Sequence, residues 1–133
     1  MTEPGCRFCR ANGLLSDSAV LETQYFYVLA SRDPALQRAG MIVPHRHSEN
    51  PFEMTPEEWA DFGPALAAAR EHFSSHQPDG YTLGWNVGAV GGQNVFHTHL
   101  HIIPRFAGEA LEGKGIRYAF KQQGAKHDAR GDL

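Results

Sequence analysis

Gly92-Gln93-Asn94-Val95-Phe96-His97-Thr98-His99-Leu100-His101-Ile102-Ile103-Pro104-Arg105 is the stretch on which the fold turns. From His97 onward, imidazole alternates with less polar side chains. Successive side chains of a strand point to opposite faces. Val95 to Ile103 therefore reads as a strand, with His97, His99 and His101 on one face and neighbours about 7 Å apart. Thr98, Leu100 and Ile102 then point toward an apolar core. Ahead of it, Gly88-Ala89-Val90-Gly91-Gly92 is a flexible turn, and Tyr81 to Val87 reads as another strand.

Further upstream, Ser18 to Leu21 and Gln24 to Ala30 read as strands, the second rich in aromatic and branched residues. Ser31 to Ala39 has no clear period and reads as a loop. Gly40 to Val43 is a third strand, stopped by Pro44. Thr55-Pro56-Glu57-Glu58 is a capping box with proline at the first helical position. Trp59, Phe62, Leu66, Ala69 and Phe73 follow at helical spacing and predict one buried stripe, with a kink at Pro64. The order β-β-β-α-β-β predicts an α+β fold, an antiparallel sheet of about five strands with helices on one face.

The 133 residues suit a single domain, 1–133, with a flexible tail from about residue 121. Hydrophobic residues make up 41% and charged residues 20%, which speaks against disorder. The net charge of −3 argues against general nucleic-acid binding. No window approaches the roughly 20 apolar residues that cross a bilayer, and Met1 to Arg10 lacks a secretory signal pattern. The expectation is a cytoplasmic protein that binds neither membrane nor nucleic acid.

Three alternating imidazoles would be a poor way to build an ordinary surface. Neutral imidazole is a nucleophile toward phosphorus and leaves readily, because its pKa lies near neutrality. Flanking imidazoles donate hydrogen bonds to phosphate oxygens. The rival reading is a metal centre built on the three histidines, which would require a further ligand from elsewhere.

His97-Thr98-His99-Leu100-His101-Ile102-Ile103 resembles the signature of the histidine-triad (HIT) family, three histidines interleaved with apolar residues. Asn86-Val87-Gly88, Gly92-Gln93 and Ile103-Pro104-Arg105 extend the resemblance, as do Ile42-Val43-Pro44 with His47 and the Thr55 helix. It covers roughly residues 5–120. The resemblance implies a HIT-like fold with one long helix and short additional helices, a homodimer, and hydrolysis or transfer at a nucleotide α-phosphate. The substrates implied are dinucleoside polyphosphates or nucleoside phosphoramidates of adenosine type.

By this analogy His99 is the nucleophile and becomes transiently nucleotidylated, with His101 and Gln93 assisting. Asn86, Gln93, Asn94 and His101 contact substrate. Thr98 is less apolar than the family's usual residue. Asn94 replaces a common serine or threonine, and Ala30-Ser31 stands where an acidic or amide ribose contact is expected. A low-turnover nucleotide-binding module of the same fold is the alternative to an enzyme.

Cys6 and Cys9 are spaced C-x-x-C. By spacing alone they are a zinc knuckle lacking two ligands, a redox pair, or two free thiols. Bacterial family members look similar and bind zinc; carried over, the ligands are Cys6, Cys9, His47 and His97, with His45 the alternative to His47. Four protein ligands would make the zinc structural. No organic cofactor is expected. Gly113 to Arg117 (GKGIR) reads as a solvated loop, with approach of its cations to a phosphate the second reading.

Overall fold

The computed structural model describes residues 2–36 and 38–121; the predicted tail lies outside them. Five strands form one antiparallel sheet: β1 (Leu21–Glu22), β2 (Phe26–Ala30), β3 (Gly40–Pro44), β4 (Gly80–Trp85) and β5 (Leu100–Arg105). Their spatial order is β1-β2-β3-β5-β4. Chain order is broken once, because the chain leaves β3 for the long helix α1 (Pro56–Phe73) and β4, and β5 then inserts between β3 and β4. A short helix, α2 (Tyr118–Lys121), and four single-turn 3-10 segments complete the described chain. No described helix is long and apolar enough to cross a membrane.

Helix α1 starts where the sequence places it. The Thr55 hydroxyl accepts the Glu58 amide at 3.0 Å, and the Glu58 carboxylate accepts the Thr55 amide at 2.9 Å. Together they satisfy two donors that a helix start leaves open. The helix runs on through Pro64 without interruption.

The buried face of α1 differs from the expected stripe. Ala65, Ala69 and Phe73 are buried against Phe26, Val28, Ile42, Leu100 and Ile102. Phe62 and Leu66 are only partly buried, and Trp59 is 46% exposed. Small alanines let the helix lie close to the sheet. Phe73 then sits so near β3 that a Cβ on Gly40 would fall 2.2 Å from its ring. The opposite sheet face holds a second cluster, in which Phe8 of the N-terminal segment joins Tyr27, Leu29 and Val43.

The histidine segment is shorter as a strand than its alternation predicts. Pairing with β3 spans only Ile42↔Leu100, Met41↔His101 and Gly40↔Ile102. Ahead of Leu100 the backbone finds other partners: the Thr98 amide donates to the Ser48 carbonyl at 2.7 Å. His97 and His99 therefore lie in the approach to β5, and only His101 lies in the strand. The inward side of the alternation does hold, since Thr98, Leu100 and Ile102 are all buried. Likewise β1 begins at Leu21 rather than Ser18, β2 at Phe26, and β4 ends at Trp85.

Candidate functional site

The turn carrying Cys6 and Cys9 is tied at several points. The Asn12 side-chain amide donates to the carbonyls of Glu3 and Cys6 at 2.8 and 2.9 Å. The Tyr27 hydroxyl donates to the Phe8 carbonyl. Phe8 is buried between the two halves of the site, its ring edge-on to His97 at 6.1 Å and to His99 at 5.2 Å.

Cys6, Cys9, His47 and His97 converge, their donor atoms all within 4.8 Å of one another. His97 Nδ1 lies 3.3 Å from Cys6 Sγ and 3.6 Å from Cys9 Sγ, and His47 Nδ1 lies 3.4 Å from Cys9 Sγ. Tetrahedral zinc with ordinary ligand lengths separates sulfur and nitrogen by about 3.6 Å. His97 Nε2 lies 2.8 Å from the Pro44 carbonyl, which can only accept, so Nε2 carries the proton and Nδ1 offers its lone pair to the cysteines. The Glu3 amide donates to Cys9 Sγ at 3.4 Å. Donor set, spacing and the His97 tautomer fit zinc. His45 stands apart from the set, stacked on Tyr27 with ring centroids 5.5 Å apart.

His97 is fully buried, and burial pushes its pKa down to about 4, the Pro44 carbonyl only partly opposing this. A neutral ring is the form a metal ligand takes. With one nitrogen on Pro44 and the other facing the cysteines, His97 has none left for an ion shared with His99 and His101. The three-histidine metal centre is therefore not the geometry found among the described residues.

His99 and His101 face a cleft of about 580 Å³ on the other side of Phe8. Their rings are 5.0 Å apart, edge to face. His99 Nδ1 lies 2.7 Å from the His97 carbonyl, which fixes the proton on Nδ1 and leaves Nε2 a free lone pair. Burial holds His99 below the ordinary histidine range; the His97 carbonyl opposes this and the charge of Arg7 adds to it. Burial also lowers His101, with His99 adding and Asp33 opposing.

Asn86 and Asn94 line this cleft, as expected of substrate contacts, whereas Gln93 does not. The buried Gln93 amide accepts the Gly88 amide at 2.8 Å and donates to the Glu49 and Val95 carbonyls at 2.6 and 3.1 Å. It holds the glycine turn from within. Leu14, Leu15, Leu29 and Met41 give the cleft an apolar wall. Lys114 and Arg117 are not among the lining residues, in keeping with a solvated loop.

Four charged lining residues were not expected from the sequence: Arg7, Asp17, Arg32 and Asp33. Arg7 stood unmarked between the cysteines, and Asp33 lies two residues beyond Ser31, in a segment read only as loop. Nothing local in the sequence signals that these positions meet the histidines.

The HIT domain family matches residues 13–108. An uncharacterized HIT-like protein of Methanocaldococcus jannaschii is 32% identical over 105 residues, covering 78% of this chain and 81% of that protein. Adenosine 5'-monophosphoramidase of Saccharomyces cerevisiae is 25% identical, over 77% of this chain and 64% of the yeast protein. Bis(5'-adenosyl)-triphosphatase of Dictyostelium discoideum is 34% identical, over 62% and 56%. A hypothetical histidine triad nucleotide-binding protein of Sulfolobus tokodaii superposes with a TM-score of 0.71 at 28% identity, covering 78% of this chain and 71% of that one. A Zn-bound histidine triad family protein of Mycobacterium smegmatis does so at 0.67 and 28%, covering 80% and 79%. With most of its length matched in sequence and its sheet shared with these structures, the chain belongs to the HIT domain family.

Proposed function

We propose that the protein is a nucleotide hydrolase or transferase acting at the α-phosphate of adenosine-type substrates through a covalent intermediate on His99. One observation carries this reading: the His97 carbonyl holds the proton of His99 on Nδ1, leaving Nε2 as an unprotonated nucleophile facing the cleft beside His101. Nε2 attacks phosphorus, and the bond from phosphorus to the leaving group breaks. Water then attacks the same phosphorus, the bond to His99 breaks, and a nucleoside monophosphate leaves carrying the water's oxygen. His101 binds the phosphate oxygens, and Asn86 and Asn94 supply neutral polar contacts. Gln93 serves through the glycine turn it holds. The activities named for the yeast and Dictyostelium relatives support phosphoramidates and dinucleoside polyphosphates as the substrate class.

Zinc held by Cys6, Cys9, His47 and His97 would supply a fixed tetrahedral tie with no position open to substrate. That makes it structural, and the Zn-bound mycobacterial relative supports its identity. The reading includes a cytoplasmic homodimer; the outer edge of β4, at the end of the sheet order, is compatible with pairing to a second copy.

The test is incubation with an adenosine phosphoramidate and, separately, diadenosine tetraphosphate, beside His99→Ala. AMP release by the wild type, its loss in the variant, and a nucleotidyl mass adduct on His99 are the results expected. Nucleotide binding without turnover would replace the enzyme with a binding module. The absence of both binding and release would overturn the reading.

A further inference from the structure

The cleft carries two arginines, and they are in different states. Arg32 is engaged, its guanidinium on the Ser16 hydroxyl and 3.5 Å from the Asp17 carboxylate. Arg7 has neither a hydrogen bond nor an ion pair among the described residues. Its one close neighbour of note is the Phe8 ring, with Cζ 5.2 Å from the centroid, and that ring in turn lies 5.2 Å from the His99 ring. Most exposed arginines simply face water. Arg7 differs in three ways: it lines the same cleft as His99 and His101, it has no carboxylate to satisfy it, and its backbone is held on both sides.

The turn explains how it comes to be there. The two residues between Cys6 and Cys9 part company, Phe8 going into the core and Arg7 remaining exposed at the cleft. A guanidinium is the side chain best matched to phosphate, binding two oxygens at once with little reorganisation. An unpaired cation at the mouth of a partly apolar cleft also raises the local concentration of an anionic ligand.

We infer that Arg7 is a substrate-binding residue, ion-pairing with the phosphate oxygens of a nucleotide seated at His99 and His101. This rests on the nucleotide reading above and deepens it. The cysteine turn thereby acts on the cleft as well as on the fold: it presents the charge that selects a phosphorylated ligand over a bare nucleoside.

The experiment measures binding of AMP and of adenosine, by calorimetry at low salt, to the zinc-replete wild type, Arg7→Gln and Arg7→Lys. Arg7 is exposed, so neither substitution disturbs the core. Arg7→Gln should weaken AMP binding by about tenfold or more, the effect of losing one charge-assisted contact. Adenosine binding should stay the same, and Arg7→Lys should fall between. The AMP affinity should also depend less steeply on salt in Arg7→Gln. Equal AMP binding by wild type and Arg7→Gln would overturn the assignment, as would an equal loss for AMP and adenosine. A wild type that binds adenosine but not AMP would overturn it too. A wild type that binds neither ligand would overturn the nucleotide reading itself.

Discussion

The backbone carbonyl of His97 accepts the Nδ1 proton of His99 at 2.7 Å, while the His97 side chain turns away to meet Cys6 and Cys9. One residue thus belongs to the cysteine cluster by its ring and to the cleft by its carbonyl. The position of that carbonyl decides which nitrogen of His99 is free. Anything that lets His97 move should therefore be felt in the cleft 2 residues away in sequence.

The first prediction concerns metal. Protein purified without chelator should contain about one zinc per chain, since Cys6, Cys9, His47 and His97 offer four donor atoms within 4.8 Å of one another, the number a tetrahedral ion takes. Stripping it with a strong chelator should lower the melting temperature, because metal binding and folding are coupled. Readdition of zinc should restore it. Elemental analysis finding no metal, together with a chelator-insensitive melting curve, would count against the site.

How far the sequence alone reaches is clearest in α1 and the histidine segment. The Thr55 capping box was legible because both of its hydrogen bonds are local, within three residues. Glu58, by contrast, is 2% exposed, and helix periodicity has no way to say that a carboxylate is buried under an arginine twelve positions upstream. The histidine alternation correctly gave an inward face at Thr98, Leu100 and Ile102. It did not show where strand pairing stops, since that depends on Ser48 and Pro44 taking up the Thr98 amide and the His97 ring. The convergence of His47 and His97 on Cys6 and Cys9 followed from family resemblance, and spacing alone left it open. Arg7 was invisible because its meaning depends on the cleft it reaches.

Glu58 gives a prediction in pH. Burial pushes its carboxyl up, but two contacts to Arg46 and the Thr55 amide outweigh that and hold it below its ordinary 4.5. A carboxyl lowered in the folded state favours folding above its unfolded value and loses that contribution as pH falls through the folded one. Wild-type stability should therefore drop as pH is lowered from about 4.5, and the drop should be smaller in Glu58→Gln. Glu58→Ala should cost about 2 kcal/mol at pH 7, as it takes the carboxylate partner from Arg46, leaving that guanidinium only the His47 and Glu53 carbonyls, and removes one half of the helix cap. Urea titrations across pH 3–7 measure both, and parallel curves for wild type and Glu58→Gln would refute the linkage.

Thr98 supplies a third. Its hydroxyl lies 2.7 Å from the Ser48 hydroxyl and 3.1 Å from the Ser48 carbonyl, all buried. This gives the less apolar residue of the histidine motif a structural reason: it pins the approach to β5 onto the turn that follows His47. Thr98→Val keeps the shape and leaves Ser48 without its hydroxyl partner, at a cost of about 1–3 kcal/mol. Adding Ser48→Ala should recover part of the loss, because the stranded hydroxyl is then gone. A double-mutant cycle by chemical unfolding reads this, and strictly additive single effects would sink it.

The last prediction concerns how close α1 lies to β3. A Cβ on Gly40 would stand 2.2 and 2.6 Å from two atoms of the Phe73 ring and 2.9 Å from the Leu29 carbonyl oxygen. No side chain tolerates such contacts, so either the ring or the strand must shift. Phe73 is buried at the end of the helix and cannot swing into solvent without leaving the core cluster. Gly40→Ala should therefore destabilise the fold by about 1–3 kcal/mol, the usual range for overpacking. Replacing Phe73 by leucine should itself be destabilising, since it removes buried area, yet the pair should cost less than the two separate effects combined. The same strand reaches the site: Met41 lines the cleft and pairs with His101. If Gly40→Ala displaces β3 and not the ring alone, nucleotide affinity should fall along with stability. An unchanged affinity would show that the ring does the yielding.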